Sequence, residues 1–144
     1  MKKLATVSAG KKTWTAKPLK KGKYYKFLVV AYKTSCKKKI VTAASRTVYA
    51  ATAGGKAGNY KSVKLNKKKI TLKKGKSFKI KAKQIRQTKK KKVKKYRKLS
   101  YESSNPAVAK VNKAGKVTAK KKGSCKIYIY TQSGCYATLA VKVK

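Results

Sequence analysis

Apolar and polar residues alternate along most of this chain, with the period of two that sends successive side chains to opposite faces of a strand. The C-terminal end shows it most plainly. Over residues 124–131, Cys125, Ile127, Ile129 and Thr131 share one face, and over 136–143, Ala137, Leu139, Val141 and Val143 do the same in phase with Cys135. Gln132, Ser133 and Gly134 between them read as a turn, so the two strands should form a hairpin. Further strands are predicted at 62–65, 69–72, 77–82, 99–103, 107–111 and 116–119, and the opening residues 1–10 also read as a strand. Val, Ile, Tyr and Thr occupy nearly every apolar run, and no stretch shows the 3-4 spacing of a helix. Turn signals at 20–23, 73–76, 112–116 and 120–123 are spaced as in a β-sandwich or barrel. The expected fold class is all-β.

Two stretches interrupt the alternation. Residues 53–59, Ala-Gly-Gly-Lys-Ala-Gly-Asn, read as a flexible linker, which divides the chain into 1–52, the linker 53–59, and 60–144. Residues 89–98, KKKKVKKYRK, form a block of like charge. Such a block is a solvated loop or an interaction segment.

Charge then narrows the chemistry. The chain carries 44 Lys and Arg, one acid (Glu102) and no His. All the cations but Arg46, Arg86 and Arg97 are Lys. One acid cannot form the carboxylate pair of a glycosidase, and a Ser-His-Asp triad needs residues that are absent. Hard cations need several oxygen ligands, and three scattered Cys do not make a zinc site. A lysine base among crowded cations is the one remaining catalytic route. No catalytic residue, metal site or cofactor is expected. A compact chain of this mass exposes roughly 7,000 Å², which spaces its cations about 13 Å apart, beyond the ~8 Å Debye length of physiological salt. Folding is therefore compatible with the charge, and should weaken at low ionic strength.

The cysteines Cys36, Cys125 and Cys135 are odd in number, form no CxxC, and read as small buried hydrophobes. Cys125 lies at the far end of the hairpin from Cys135, about 20 Å away at ~3.3 Å per residue, too far for a disulfide. No run is long and apolar enough for a membrane span, and the apolar stretch of the first ten residues is too short for a secretion signal. An export signal is expected upstream.

The candidate polyanion-binding residues are Lys89, Lys90, Lys91, Lys92, Lys94, Lys95, Arg97 and Lys98, since nothing in the strand pattern calls for that run. Elsewhere lysine is the outward phase of strands and a guard against edge-to-edge pairing. So few Arg argue for diffuse attraction rather than base recognition. Tyr128 and Tyr130 fall on an outer face beside Lys126, and read as cross-strand packing before a stacking platform. Glu102 reads as an ion-pair partner of a Lys on a neighbouring strand.

The string at 101–131 carries a resemblance. Ser103-Ser104-Asn105, then Val108-Ala109-Lys110-Val111, then Gly115-Lys116-Val117-Thr118-Ala119 and Gly123 resemble the central pattern of a bacterial immunoglobulin-like group 2 domain. The resemblance covers residues 60–144 and implies an immunoglobulin-like β-sandwich with Val108, Val111, Val117 and Ala119 on its interior. The basic insertion at 84–98 departs from it. Residues 1–52 resemble the C-terminal half of a fibronectin type III domain. Leu19 followed six residues later by Tyr25 is similar to that family's tyrosine corner, Trp14 falls on the preceding strand, and Ser45 and Thr52 fit the last one. A half-sandwich leaves an apolar face and an open edge. Either the chain begins inside a larger protein, the favoured expectation, or another chain supplies the missing strands.

The resemblances imply a non-catalytic extracellular or cell-surface module, adhesive or a spacer, drawn by charge to cell-wall polymers or acidic glycans. A protein that binds nucleic acid through non-specific phosphate contacts, and an accessory fragment of a secreted hydrolase with its active site elsewhere, are the alternatives.

Overall fold

The computed structural model describes residues 2–144. Thirteen strands run in chain order: β1 (Tyr24–Phe27), β2 (Val30–Ser35), β3 (Lys38–Ala44), β4 (Val48–Ala51), β5 (Tyr60–Leu65), β6 (Lys69–Leu72), β7 (Ser77–Lys79), β8 (Ala82–Arg86), β9 (Ser100–Ser103), β10 (Ala109–Val111), β11 (Lys116–Ala119), β12 (Gly123–Tyr130) and β13 (Tyr136–Val143). The fold is all-β, as the alternation requires.

From β5 onward the strands make a sandwich. One sheet has the order β6-β13-β12-β9, with β6 parallel to β13 and the other pairs antiparallel. Facing it are the sheet β10-β11-β7 and the pair β5-β8. The inward phase is the one read from the sequence. Ile127, Ile129 and Val117 are fully excluded from solvent, and Leu139, Val141, Val143 and Ala119 nearly so. Val63, Ile80, Val108 and Cys125 complete the core. Cys125 sits opposite Val141, while Cys135 lies beyond the Tyr130–Tyr136 pair at the other end of the hairpin. The turn before β11 is built by Asn112, whose Oδ1 accepts from the amides of Ala114 (3.0 Å) and Lys116 (2.9 Å). Gly115 there has φ +76, and a Cβ at that position would lie 2.7 Å from the Tyr101 ring. Both the backbone angle and the close ring call for glycine.

Several expectations change. Residues 77–82 are not one strand: the chain leaves β7, passes Ile80, and enters β8 in a different pair. β8 runs to Arg86 against β5, so the start of the basic insertion is sheet. Residues 2–23 contain no strand, because no strand among the described residues lies alongside them to complete a ladder; Met1, the first residue of the strand expected at 1–10, lies outside the described residues. Trp14 is exposed. Cys36 is exposed as well, at the tip of the β2–β3 hairpin. With Lys37 it forms a two-residue turn with both φ values positive (48° and 58°), the geometry whose twist matches paired strands.

Before β5, β1 pairs only with β4, and β2 only with β3. The Tyr25 hydroxyl accepts from the Lys20 amide at 2.8 Å, the bond a tyrosine corner makes. Both β2 and β3 are exposed along their whole length. The molecule exposes 11,004 Å², well above the roughly 7,000 Å² of a compact chain of this mass. The cations are therefore diluted further, to an average spacing on the order of 16 Å.

Candidate polyanion-binding surface

The basic segment 89–98 is not a free loop. Its backbone is tied down on both sides. The Lys92 carbonyl accepts from the Gly58 amide (2.9 Å), and the Lys94 amide donates to the Tyr24 hydroxyl (2.9 Å), which itself donates to the Gly58 carbonyl (2.8 Å). A Cβ at Gly58 would stand 2.9 Å from Lys91 Cβ, so glycine is what lets the two segments meet. Asn59 adds a second tie, donating to the Ala51 carbonyl and accepting from the Ala51 amide, each at 2.8 Å. The stretch 53–59 is thus bonded at its C-terminal end, where flexibility was expected.

Gln132 anchors the other side. It sits in the β12–β13 turn yet is fully buried. Its Oε1 accepts from the amides of Tyr96 (2.8 Å) and Arg97 (3.3 Å), its Nε2 donates to the Lys94 carbonyl (2.7 Å), and its own carbonyl accepts from the Tyr49 amide (2.8 Å). One residue joins β4, the basic segment and the sandwich. The Tyr96 ring stacks on Tyr49 (centroids 5.1 Å, planes 6° apart) and meets Tyr24 edge-on at 5.2 Å. The segment's amides and its tyrosine therefore form the joint between β1–β4 and the sandwich.

This sorts the eight candidate cations. Lys89, Lys90, Lys92, Lys94, Lys95 and Lys98 are exposed, and Lys91 is half-buried. Lys94 Nζ lies 5.4 Å from the centre of the Tyr96 ring. Arg97 does not join them at the surface. Its Nη2 donates to the Thr131 carbonyl at 3.0 Å, and its Nε is buried without a partner among the described residues. Burial first, and the positive Arg46 second, lower its pKa from the ordinary arginine value.

The lone acid also departs from expectation. Glu102 on β9 pairs with Arg46, from the segment between β3 and β4, at 2.8 Å rather than with a strand lysine. Arg46 lies over the Tyr130 ring at 4.9 Å. Burial, and then the Glu102 charge, push the Tyr130 hydroxyl above the usual tyrosine pKa. Tyr130 faces Tyr136 across β12–β13, and Tyr128 completes a group of three rings with centroids 5.5, 5.8 and 6.1 Å apart.

The sequence held no sign of the roles of Gln132 and Arg46. A glutamine between a threonine and a serine in a turn has the look of an exposed residue. Among the described residues, no three His, Cys, Asp or Glu side chains gather as metal ligands, and no helix is long and apolar enough to cross a membrane.

Residues 59–141 match the family model of the bacterial Ig-like domain (group 2). Two solved structures are similar to this chain. One is an intimin mutant of EHEC O157:H7, with TM-score 0.45 and 20% identity over 58% of this chain and 47% of that one. The other comprises domains 4 and 5 of the S-layer protein SbsC, with TM-score 0.46 and 14% identity over 83% of this chain and 75% of that one. The chain therefore spans about half the length of the intimin chain. No curated protein matches it.

Proposed function

The chain belongs to the bacterial Ig-like domain (group 2) family, and from that premise we propose that it is a non-catalytic module of the bacterial cell surface, adhesive or a spacer, that holds anionic polymers by charge. The observation that carries this is the imbalance of 44 cations against one acid, with that acid already paired to Arg46. No unpaired acidic side chain is left among the described residues to repel a polyanion. The exposed amines of Lys89, Lys90, Lys92, Lys94, Lys95 and Lys98 supply one cluster, held in place by the backbone bonds described above. Polymer binding of this kind releases counterions and weakens steeply with salt. In this reading residues 60–144 are the Ig-like unit and 1–52 a partial fibronectin-like unit joined to it by 53–59. Domains of the family are common in extracellular and cell-wall proteins, which supports an extracellular location. The absence of His and of a second acid supports a role without catalysis.

The test is a salt titration against heparin, teichoic acid and duplex DNA. Binding to heparin or teichoic acid at physiological ionic strength, with a steep salt slope, is the expected result. Failure to bind any of the three there would overturn the proposal. Retention of duplex DNA at salt that releases the other two would replace it with a nucleic-acid role.

A further inference from the structure

Alternation turns Cys125, Ile127 and Ile129 into the core and leaves Ser124, Lys126, Tyr128 and Tyr130 on the outer face of β12. The register carries that face across the sheet. Lys142 stands opposite Ser124, Ala140 opposite Lys126, Thr138 opposite Tyr128, and Tyr136 opposite Tyr130, while Lys69 of β6 stands opposite Ala140. The two ends of this face differ in chemistry. One end holds the three tyrosines, with Tyr136 58% exposed. At the other, a depression of about 480 Å³ is lined by Lys69, Lys126, Lys142, Ser104, Ser124 and the small Ala140. Four residues along the strand separate the ends, about 13 Å at ~3.3 Å each. The one acid on the face, Glu102, is neutralised by Arg46.

We propose that this face binds an acidic polysaccharide, with the apolar face of one sugar ring against Tyr136 and a carboxylate or sulfate of a sugar a few units further along the same polymer between Lys69, Lys126 and Lys142. The inference rests on the anionic-polymer function above and adds the ligand class and the place. Each half of the surface asks for a different property of one ligand. Three lysines lining one recess, with the hydroxyl residues Thr71, Ser104 and Ser124 beside them, suit a compact oxyanion. An exposed phenol ring, propped by two others, offers a flat apolar surface with a polar edge. A linear polyphosphate satisfies the lysines and has no ring for the tyrosine. Duplex DNA keeps its ring faces stacked inside. A charged sugar polymer meets both demands along the length of the face.

The test uses the full chain at physiological ionic strength with heparin, polyphosphate and oligo-dT as probes. Tyr136→Ala should weaken heparin binding about five-fold and leave polyphosphate unchanged, while Tyr136→Phe should keep heparin affinity. Lys126→Gln with Lys142→Gln should weaken heparin about ten-fold. Lys33→Gln with Lys38→Gln, which remove equal charge from the β2–β3 hairpin, should change it less than about two-fold. An unchanged heparin affinity in Tyr136→Ala, or equal losses in the two lysine pairs, overturns this site while binding by the parent protein leaves the anionic-polymer function standing. A parent that binds none of heparin, polyphosphate, teichoic acid and DNA overturns both. If Tyr136→Ala weakens oligo-dT more than heparin, the ring recognises a base and the polysaccharide assignment falls.

Discussion

The β2–β3 and β12–β13 hairpins are written in the same alternating pattern, and they end in opposite environments. In β12–β13, Ile127 and Ile129 are wholly excluded from water. In and beside β2–β3, Val29 is 68% and Val41 64% exposed, and every residue of both strands is open to solvent. Both are antiparallel; the β12–β13 ladder is unbroken, and that of β2–β3 shifts register once, between Ala31 and Tyr32. The difference is the layer on top: β10-β11-β7 and β5-β8 cover one hairpin, and no sheet among the described residues covers the other. Alternation makes a strand able to bury a face, and burial follows only where a second layer removes that face from water.

The strongest way to break this comparison is a pair of truncations read by urea denaturation. Ile127→Ala should cost about 3 kcal/mol, as a cavity in a close-packed core. Val41→Ala should cost less than about 0.5 kcal/mol, as a surface change. Equal losses would show that the exposed hairpin is covered in solution. Gln132→Ala comes next, at about 2 kcal/mol, because it leaves the part-buried Tyr96 and Arg97 amides without an acceptor. Hydrogen exchange should show the Tyr96 amide losing protection while the central amides of β12 and β13 keep theirs; an unchanged Tyr96 amide would refute the role of Gln132 as the joint. Ionic strength sharpens the contrast more gently. At about 10 mM salt the Debye length of ~30 Å exceeds the average spacing of the cations. Stability should then fall on the order of 1 kcal/mol, or about 4 °C in Tm, with exchange rising first in β2–β3. An identical Tm in dilute buffer and physiological salt would contradict this. Arg46→Ala tests the contact between the two regions. An ion pair whose side chains are 36% and 49% exposed should contribute less than about 1 kcal/mol, and a double-mutant cycle with Glu102→Gln should show its coupling vanish in high salt.

Much of the sandwich was legible. The predicted strands 69–72, 116–119 and 136–143 match β6, β11 and β13, because in each a short alternating run is bounded by a turn residue or a change of phase. The crossing at Ile80 was not legible. Ser77 to Ala82 alternates without a break, and nothing local tells a strand to leave one sheet for another. The β2–β3 turn was equally silent, since Cys36 and Lys37 carry none of the Gly or Asn that normally marks positive φ. At the candidate surface, the cluster of lysines was readable as a run, while the inward turn of Arg97 depended on the Thr131 carbonyl, 34 residues away.

By itself, the sequence determined the strand period, the inward phase of the sandwich, the family pattern at 101–131 and the scarcity of acids and histidines that narrows its chemistry. These are local or compositional properties, read from neighbours a few positions apart. Only the tertiary structure decided that residues 89–98 form a joint, that Gln132 is buried, that Glu102 meets Arg46, and that one sheet face carries tyrosines at one end and lysines at the other. Each of these depends on where a distant backbone donor, acceptor or layer comes to rest. A polar side chain such as Gln132 costs free energy to bury unless those distant partners are in place, so its role exists only once the strands have docked.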